Sequence, residues 1–541
     1  MNKIDYIFII FTLLFASPTF SQTKHRSKDD LYSLSKVHEL RLEFPQSDWA
    51  DDMDSIRVNG DGLLEGKIRI DGKKYDNIGV RYRGKRSFKT GNKRNSLNIK
   101  INYKDKKQNH QGYKTLKLSN ALRDPSMVRE VLAFEIARKY MIAPRAAYTR
   151  VYINNQYYGL FVNVESVNDD FLEKHFGSDN NTFVKCTPDL DAEYDEGCKQ
   201  NLFSSLEYEQ EIKCYKRNYE LKSKTGMKEL AQLTYILNKN PDKIGEVLDV
   251  DNVLWMHAFN NVLVNLSSYS GKQSQNYYLY KTDFGQFTPI LWDLNLAFGS
   301  FKNTGQGSDL DIKQLMTLDP MLHADNSTKP LISQLLKNAL YKKMYLSHMR
   351  TILYDNFLDN SYQKRAEELR KMIHRAYSKD KFKTYTMEDF ERSLYSTVGK
   401  RSKIPGICNL MNKRGRFLKK HPVLSVIPPV VGNIDFEKRK QYSNIQVEDF
   451  KMSVQVENKA SKLKVYYRYQ ESDSFTLLYL TDDGEGYDKK ANDQIFSGVI
   501  EPKGNEAIEY YVVAENARAI GFDPPNYMFN LHRTTLKELN K

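Results

Sequence analysis

Apolar residues recur along this chain with two different periods, and the change of period divides it. Val37–Phe44 (VHELRLEF) alternates apolar and polar side chains, the pattern of a half-buried strand. Gly66–Ile70, Gly79–Arg83, Ser96–Tyr103 and Lys114–Ser119 have the same character, with turn residues at Asp61-Gly62, Asp71-Gly72 and Gly91-Asn92 between them. Together they predict a mainly antiparallel sheet. A helix is expected from Asp124-Pro125-Ser126 to Lys139, with an acid near its start and Arg138 and Lys139 in its last turn, where the helix dipole favours them. Thr149–Ile153 and Tyr158–Glu165 follow as a hairpin turned at Asn154-Asn155. From about Gly226 apolar residues recur at three and four, so Met227–Leu237, Asp249–Val264, Leu331–Tyr354, Ser361–Tyr377 and Met387–Val398 read as helices. Pro422–Pro429 (PVLSVIPP) breaks that run and reads as a linker. Beyond it, Met452–Val456, Lys464–Tyr469, Phe475–Tyr479, Gly498–Ile500 and Ile508–Ala514 are short strands spaced as in a fibronectin- or immunoglobulin-type β-sandwich.

The most informative stretch runs from Asn260 to Phe301. It reads as a helix end, a polar loop, strands Asn276–Lys281 and Phe287–Trp292 joined by a turn with Asp283 and Gly285, and a second loop opening at Asp293. A strand that ends on an acid fixes the backbone and leaves the carboxylate free for a metal. Kinases use such a layout: a polar loop with a catalytic acid and a metal-binding Asn, a hairpin, then an Asp on the metal that carries the nucleotide phosphates.

This stretch resembles the bacterial CotH (spore coat protein H) kinase-like family, whose pattern is close to N-x-D-S-Y-x-G, H-N-Y-Y-L-Y and W-D-x-N-x-A-F-G. The chain carries Asn265, Ser268, Tyr269, Gly271, Asn276, Tyr277, Tyr278, Leu279, Tyr280, Trp292, Asp293, Asn295, Ala297, Phe298 and Gly299. Two positions depart: Ser267 stands where the family has its catalytic Asp, and Gln275 where it has His. A second segment starting at Val151 (VYINNQYYGLFVNVESVNDDFL) resembles the family's v-y-i-N-G-x-Y-x-G pattern.

The resemblance implies an α+β fold. Residues 22–421 would form an atypical kinase-like two-lobe domain, with an antiparallel-sheet lobe and a helical lobe; 422–430 would be a linker and 431–541 the sandwich. It implies ATP with Mg²⁺ or Mn²⁺ held by Asn276 and Asp293, Glu165 near the nucleotide, and phosphoryl transfer to Ser or Thr of an exported or cell-surface protein. Between Lys85 and Lys107 lie nine Lys/Arg and one acid, Asp105. That run is either a solvated face or a phosphate cradle. In the second reading Arg83, Arg94 and Lys100 hold phosphates, Lys100 fitting best, with Glu130 or Glu135 paired to the strand Lys. With Ser267 in place of an acid, the other function class is a pseudokinase or surface scaffold.

Charge and composition add an address and a partner class. Ile7–Ala16 is a ten-residue apolar core after Lys3, with Thr19 and Ser21 before Gln22, so residues 1–21 read as an export signal cut before Gln22. An uncleaved anchor is the other reading, but ten residues fall short of the roughly 20 needed to span. Net charge is +14, which favours anionic partners, and export weighs against nucleic acid. Of the four cysteines, Cys186 and Cys198 are candidates to close a loop around Asp189, Asp191, Glu193, Asp195 and Glu196; other pairings with Cys214 and Cys408, or free thiols, stay open. Asp482, Asp483, Asp488 and Asp493 suit Ca²⁺ as clustered loop carboxylates, or are ordinary turn acids.

Overall fold

The computed structural model describes residues 30–60, 62–84, 87–400, 402–438, 450–471, 473–500 and 507–535. The export signal read at 1–21 and the basic pair Lys85-Arg86 lie outside them. Strands β1 (His38–Glu43), β2 (Leu64–Ile70), β3 (Lys73–Arg83), β4 (Ser96–Lys100), β5 (Thr115–Ser119), β6 (Ala146–Ile153) and β7 (Gln156–Glu165) form a closed barrel in the order β1-β2-β3-β4-β5-β7-β6. The expected sheet is therefore not open. A parallel pairing of β1 with β6, Leu40 beside Val151, closes it. Alternation reports that one face of each strand is buried, but an open sheet and a barrel share that pattern.

The barrel interior holds Leu40, Leu42, Val80, Leu97, Ile99, Leu116, Leu118 and Val151. The alternate positions face outward, and across β3, β4 and β5 they form the row Arg81, Asn98, Lys117. Helix α1 (Trp49–Asn59) joins β1 to β2, and α2 (Arg129–Ala137) joins β5 to β6. Helix α2 begins later than its sequence suggests. Asp124 does not cap it as the residue beside the first turn; its carboxylate reaches over to accept from the Arg129 amide (2.8 Å) and guanidinium (2.7 Å). Removing one member of such a buried pair would strand the other charge.

After α3 (Asp169–Phe176), a second antiparallel sheet has the order β11-β10-β8-β9, from β8 (Phe183–Cys186), β9 (Tyr219–Leu221), β10 (Tyr277–Lys281) and β11 (Phe287–Leu291). Helices α4 (Met227–Lys239) and α5 (Val250–Val262) run between β9 and β10. Every residue of α5 is buried, so it is the central rod of the body rather than an amphipathic surface helix. Helices α6 (Ile312–Met316), α7 (Pro330–Lys337), α8 (Ala339–Asn356), α9 (Ser361–Ser378), α10 (Met387–Arg392) and α11 (Ile407–Lys420) complete the body. The single helix expected over Leu331–Tyr354 is two: Asn338 leaves the helical conformation and its side chain accepts from the Leu340 and Tyr341 amides, ending α7 and capping α8.

The C-terminal region forms two sheets. Strands β12 (Val430–Lys438), β13 (Phe450–Glu457) and β16 (Ile495–Ile500) make one; β15 (Thr476–Leu480), β14 (Lys462–Arg468), β17 (Ile508–Glu515) and β18 (Ile520–Asp523) make the other, with β19 (His532–Thr534) on β17. Met452, Val454, Val465, Ile500 and Val512 fill the core between them. The outer face of the second sheet is not solvated. Tyr511, Val513, Ile520 and Tyr527 join the core of the helical body, and the Tyr527 hydroxyl donates to buried Asp251 of α5 (2.6 Å). The Pro-rich stretch is likewise fastened, since Arg350 of α8 donates to the carbonyls of Val423 and Leu424.

The cysteine pairing differs from the one suggested by the acidic run. Cys198 is bonded to Cys214, while Cys186 and Cys408 are free and buried. Cys186 ends β8 opposite Tyr277 and is buried, while Cys198 lies in the loop between β8 and β9. Reducing the bond is expected to lower the thermal midpoint by the equivalent of about 3 kcal/mol from the entropy of the opened loop, measured by calorimetry with and without reductant.

Candidate functional site

The β10–β11 hairpin brings two loop ends together. Tyr277 pairs with Leu291, and one step further the Trp292 amide donates to the Asn276 carbonyl (3.1 Å). Asn276 (φ 64°) and Asp293 (φ 52°) both adopt the left-handed conformation. Two non-glycine residues in this conformation, side by side at strand ends, mark a backbone held for its side chains. Both amide hydrogens of Asn276 go to Ser267, to its carbonyl (2.9 Å) and its hydroxyl (3.0 Å). That leaves the Asn276 Oδ1 as the edge of the carboxamide able to take a cation. Ser267 is buried at 2% exposure, so it acts on Asn276 rather than standing open to solvent.

The polar loop between α5 and β10 is tightly built. The Phe298 and Gly299 amides donate to the carbonyls of Leu263 and Val264, tying the segment after Asp293 to the end of α5. A Cβ at Gly271 would stand 1.6 Å from the Leu266 carbonyl oxygen, so only glycine allows the bend.

Charged groups from four elements converge in front of Asp293. Arg83 of β3 sits with its guanidinium 5.7 Å from the Trp292 ring centre. Lys117 of β5, Lys185 of β8 and Glu130 of α2 complete the group. Burial pushes the Asp293 carboxyl up, against the pull of Arg83 and Lys185. Burial, then the charge of Asp293, also raises Glu130, whose Oε2 has no hydrogen-bond partner among the described residues. Lys117 is pushed well below its ordinary value by burial, then by Arg83, Lys185, Arg81 and Lys222. The site thus crowds cations, of which Lys185 also pairs with Glu220 (3.1 Å), beside two carboxylates raised by burial. A polyphosphate carrying a divalent metal suits such a group, and opposed shifts of this kind in one place are a feature of functional sites. Asp293 and the Asn276 Oδ1 are the groups fit to hold that metal, and Arg83, Lys117 and Lys185 the phosphates.

Other residues singled out in the sequence lie elsewhere. Arg94 is buried, ion-paired with Asp380 (3.2 Å) and bonded to the Leu160 carbonyl, so it fastens the barrel to the end of α9. Lys100 is exposed at the far end of β4, beside Gly79 and Thr115. Glu165 points into one end of the barrel, where Lys174 (3.0 Å) and the Arg145 amide (3.0 Å) hold its pKa down despite burial. Glu135 pairs with Arg365 on α9. Lys117 and Lys185 were not singled out. The signal for Lys117 was its place between Leu116 and Leu118, a cation at the outward position of a strand otherwise committed to the core. In the C-terminal region Asp482, Asp488 and Asp493 bring carboxylate oxygens within 4.8 Å of one another, while Asp483 caps the Glu485 amide.

The family model described as CotH kinase protein matches residues 80–418, from β3 through α11, so the match contains the whole cleft and stops before the C-terminal sheets. The Inner spore coat protein H of Bacillus subtilis (strain 168) is 24% identical over 414 residues, which span 74% of this chain and 99% of that protein. Among the described residues, no helix is long and apolar enough to cross a membrane.

Proposed function

This chain belongs to the CotH kinase protein family, and on that premise we propose that it is an exported kinase-like protein whose cleft binds ATP with Mg²⁺ or Mn²⁺. The barrel and the helical body serve as the two lobes, and the cleft between β3, β5, α2 and β8 is the nucleotide site. What carries this reading is the meeting of Asp293, Glu130, Arg83, Lys117 and Lys185 beside a carboxamide already turned by Ser267. The metal would neutralise charge on the transferred phosphoryl group; the chain's own part is to hold the phosphates with its three cations and exclude water.

The acceptor in this reading is a Ser or Thr of an exported or surface protein. Transfer is slow, because a serine hydroxyl at position 267 does not take up a proton at neutral pH. The export reading draws on the short apolar segment before Gln22 and on the spore coat location in the printed name of the Bacillus protein. Titration calorimetry with ATP and Mn²⁺ tests the site. The expected result is one ATP per chain, bound only when metal is present and lost with chelator. Absence of metal-dependent binding by the folded protein would leave the cleft as inherited geometry and favour a scaffold.

A further inference from the structure

We propose that Lys329 is a positioning residue for this site: its ammonium group cross-links the bend at 269–274 from the inside and so fixes Asn276 relative to Asp293. The proposal rests on the nucleotide-site reading above. The Lys329 Nζ lies 2.5 Å from the Gly271 carbonyl, 2.5 Å from the Ser274 hydroxyl and 3.3 Å from the Tyr269 carbonyl. An ammonium has three hydrogens and no acceptor, and here it meets three oxygens of one loop. Asn276 is two residues beyond Ser274, and its amide is fixed in turn by the Cys186 carbonyl (3.1 Å). The backbone leading to the carboxamide is therefore held within the bend and again at Asn276 itself.

Local preferences argue against a lysine here. Lys329 occupies the position just before α7, where Ser, Thr, Asp or Asn satisfy free amides and where the helix dipole disfavours a cation. It makes no such cap. It is 5% exposed, in a setting where lysines are seldom buried. A residue that breaks the local rule and meets another segment's demand marks a site requirement.

The rest of the bend is held by neutral groups. The Tyr269 hydroxyl donates to the Ser205 carbonyl (2.7 Å) and accepts from the Leu331 amide (2.9 Å). His323 Nε2 lies 2.9 Å from the Ser270 carbonyl. The charged and titratable groups facing Lys329 are Glu207 on the loop from β8 to β9, His323, and the Tyr269 ring, 5.7 Å from the ammonium. Burial brings Lys329 down to about 7, with Glu207 opposing. As pH rises through that value the amine loses one of its three hydrogens, and the cross-link weakens. Global stability moves the other way. The unfolded lysine holds its proton up to its ordinary value, so between about 7 and that value the unfolded state binds more protons and the fold gains stability with pH. Loosening of the bend and unfolding are thereby separable.

The test compares wild type, Lys329→Met and Lys329→Arg in the full chain. Two measurements are made: amide hydrogen exchange of residues 268–276 without ligand, corrected for intrinsic rates, and affinity for ATP with Mn²⁺ from pH 6 to 9. Lys329→Met is expected to lose protection in that segment and to weaken metal-dependent ATP affinity by about 10- to 100-fold, as second-layer partners of metal ligands do. Lys329→Arg keeps a charge at every pH, so the ratio of wild-type to Arg-variant affinity is expected to fall as pH rises through about 7. Protection and affinity within twofold of wild type in Lys329→Met would overturn the proposal. A ratio flat with pH together with wild-type protection in Lys329→Met would also overturn it, showing that Lys329 only fills space. If wild type binds no ATP, the nucleotide reading fails by itself, and the exchange data still decide whether the ammonium holds the bend.

Discussion

Replacing Asp293 with alanine is expected to abolish metal-dependent ATP binding, a loss of at least about 100-fold, while the protein stays folded. The carboxylate lies at the end of β11 and caps no backbone amide of the following turn, so its loss there is limited to a side-chain contact with Asn295. Its removal also relieves a repulsion. Burial raises both Asp293 and Glu130, and the charge of Asp293 raises Glu130 further. An acid whose folded value is raised binds more protons in the folded state than in the unfolded one. Stability is therefore lost as pH climbs from the ordinary carboxylate range through the raised value. Asp293→Ala should leave Glu130 nearer its ordinary value and flatten that decline. Two measurements check this: calorimetry with ATP and Mn²⁺, and the thermal midpoint from pH 5 to 8 without ligand. A variant that binds as wild type does would remove Asp293 from the site. A variant that unfolds would show that the carboxylate is structural.

The second large effect is a gain. Ser267→Asp is expected to raise phosphoryl transfer by about 100-fold or more, the usual scale of a positioned base. The side chain at 267 already contacts the Asn276 amide (3.0 Å), and a carboxylate there would accept the same hydrogen with its second oxygen left to take a proton. Gln275 also departs from the family pattern, so the gain need not restore full activity. A radiolabel transfer assay compares wild type and Ser267→Asp, with Asp293→Ala as the blank. Robust transfer by wild type, unchanged or lowered by the substitution, would mean that 267 is not the base position and that the natural protein is an active kinase.

The candidate metal groups were legible because hairpins are local. Tyr277–Lys281 and Phe287–Leu291 alternate and are joined by a short turn, so the pairing that sets Asn276 against Trp292 follows from adjacent residues alone. The phosphate side was not legible in this way. Lys100 and Lys117 both occupy outward strand positions, and what separates them is which strand end faces β8 across the cleft, a relation between distant segments. Glu165 was misplaced for a related reason. A register shift between Val151 and Tyr152 in the β6–β7 pairing puts Tyr158 and Phe161, an odd number apart, both inside the barrel, and Glu165 follows Phe161 inward. The pairing of Cys198 with Cys214 depends on the path of the loop between β8 and β9, to which spacing is blind.

The parallel seam of the barrel sets an order of events during synthesis. Strand β1 is made early, but His38 finds its neighbour Thr149 only after five further strands of the barrel wall have been made or begun. Pairings so distant in sequence close late, because the entropy of a long loop is lost before the contact returns anything. Until then one edge of β1 is bare backbone with apolar Leu40 and Leu42 beside it, open to pairing with other chains. The seam that closes the finished barrel makes the nascent one sticky. Until that interval has passed, rapid completion of β6 is what guards the open edge against aggregation.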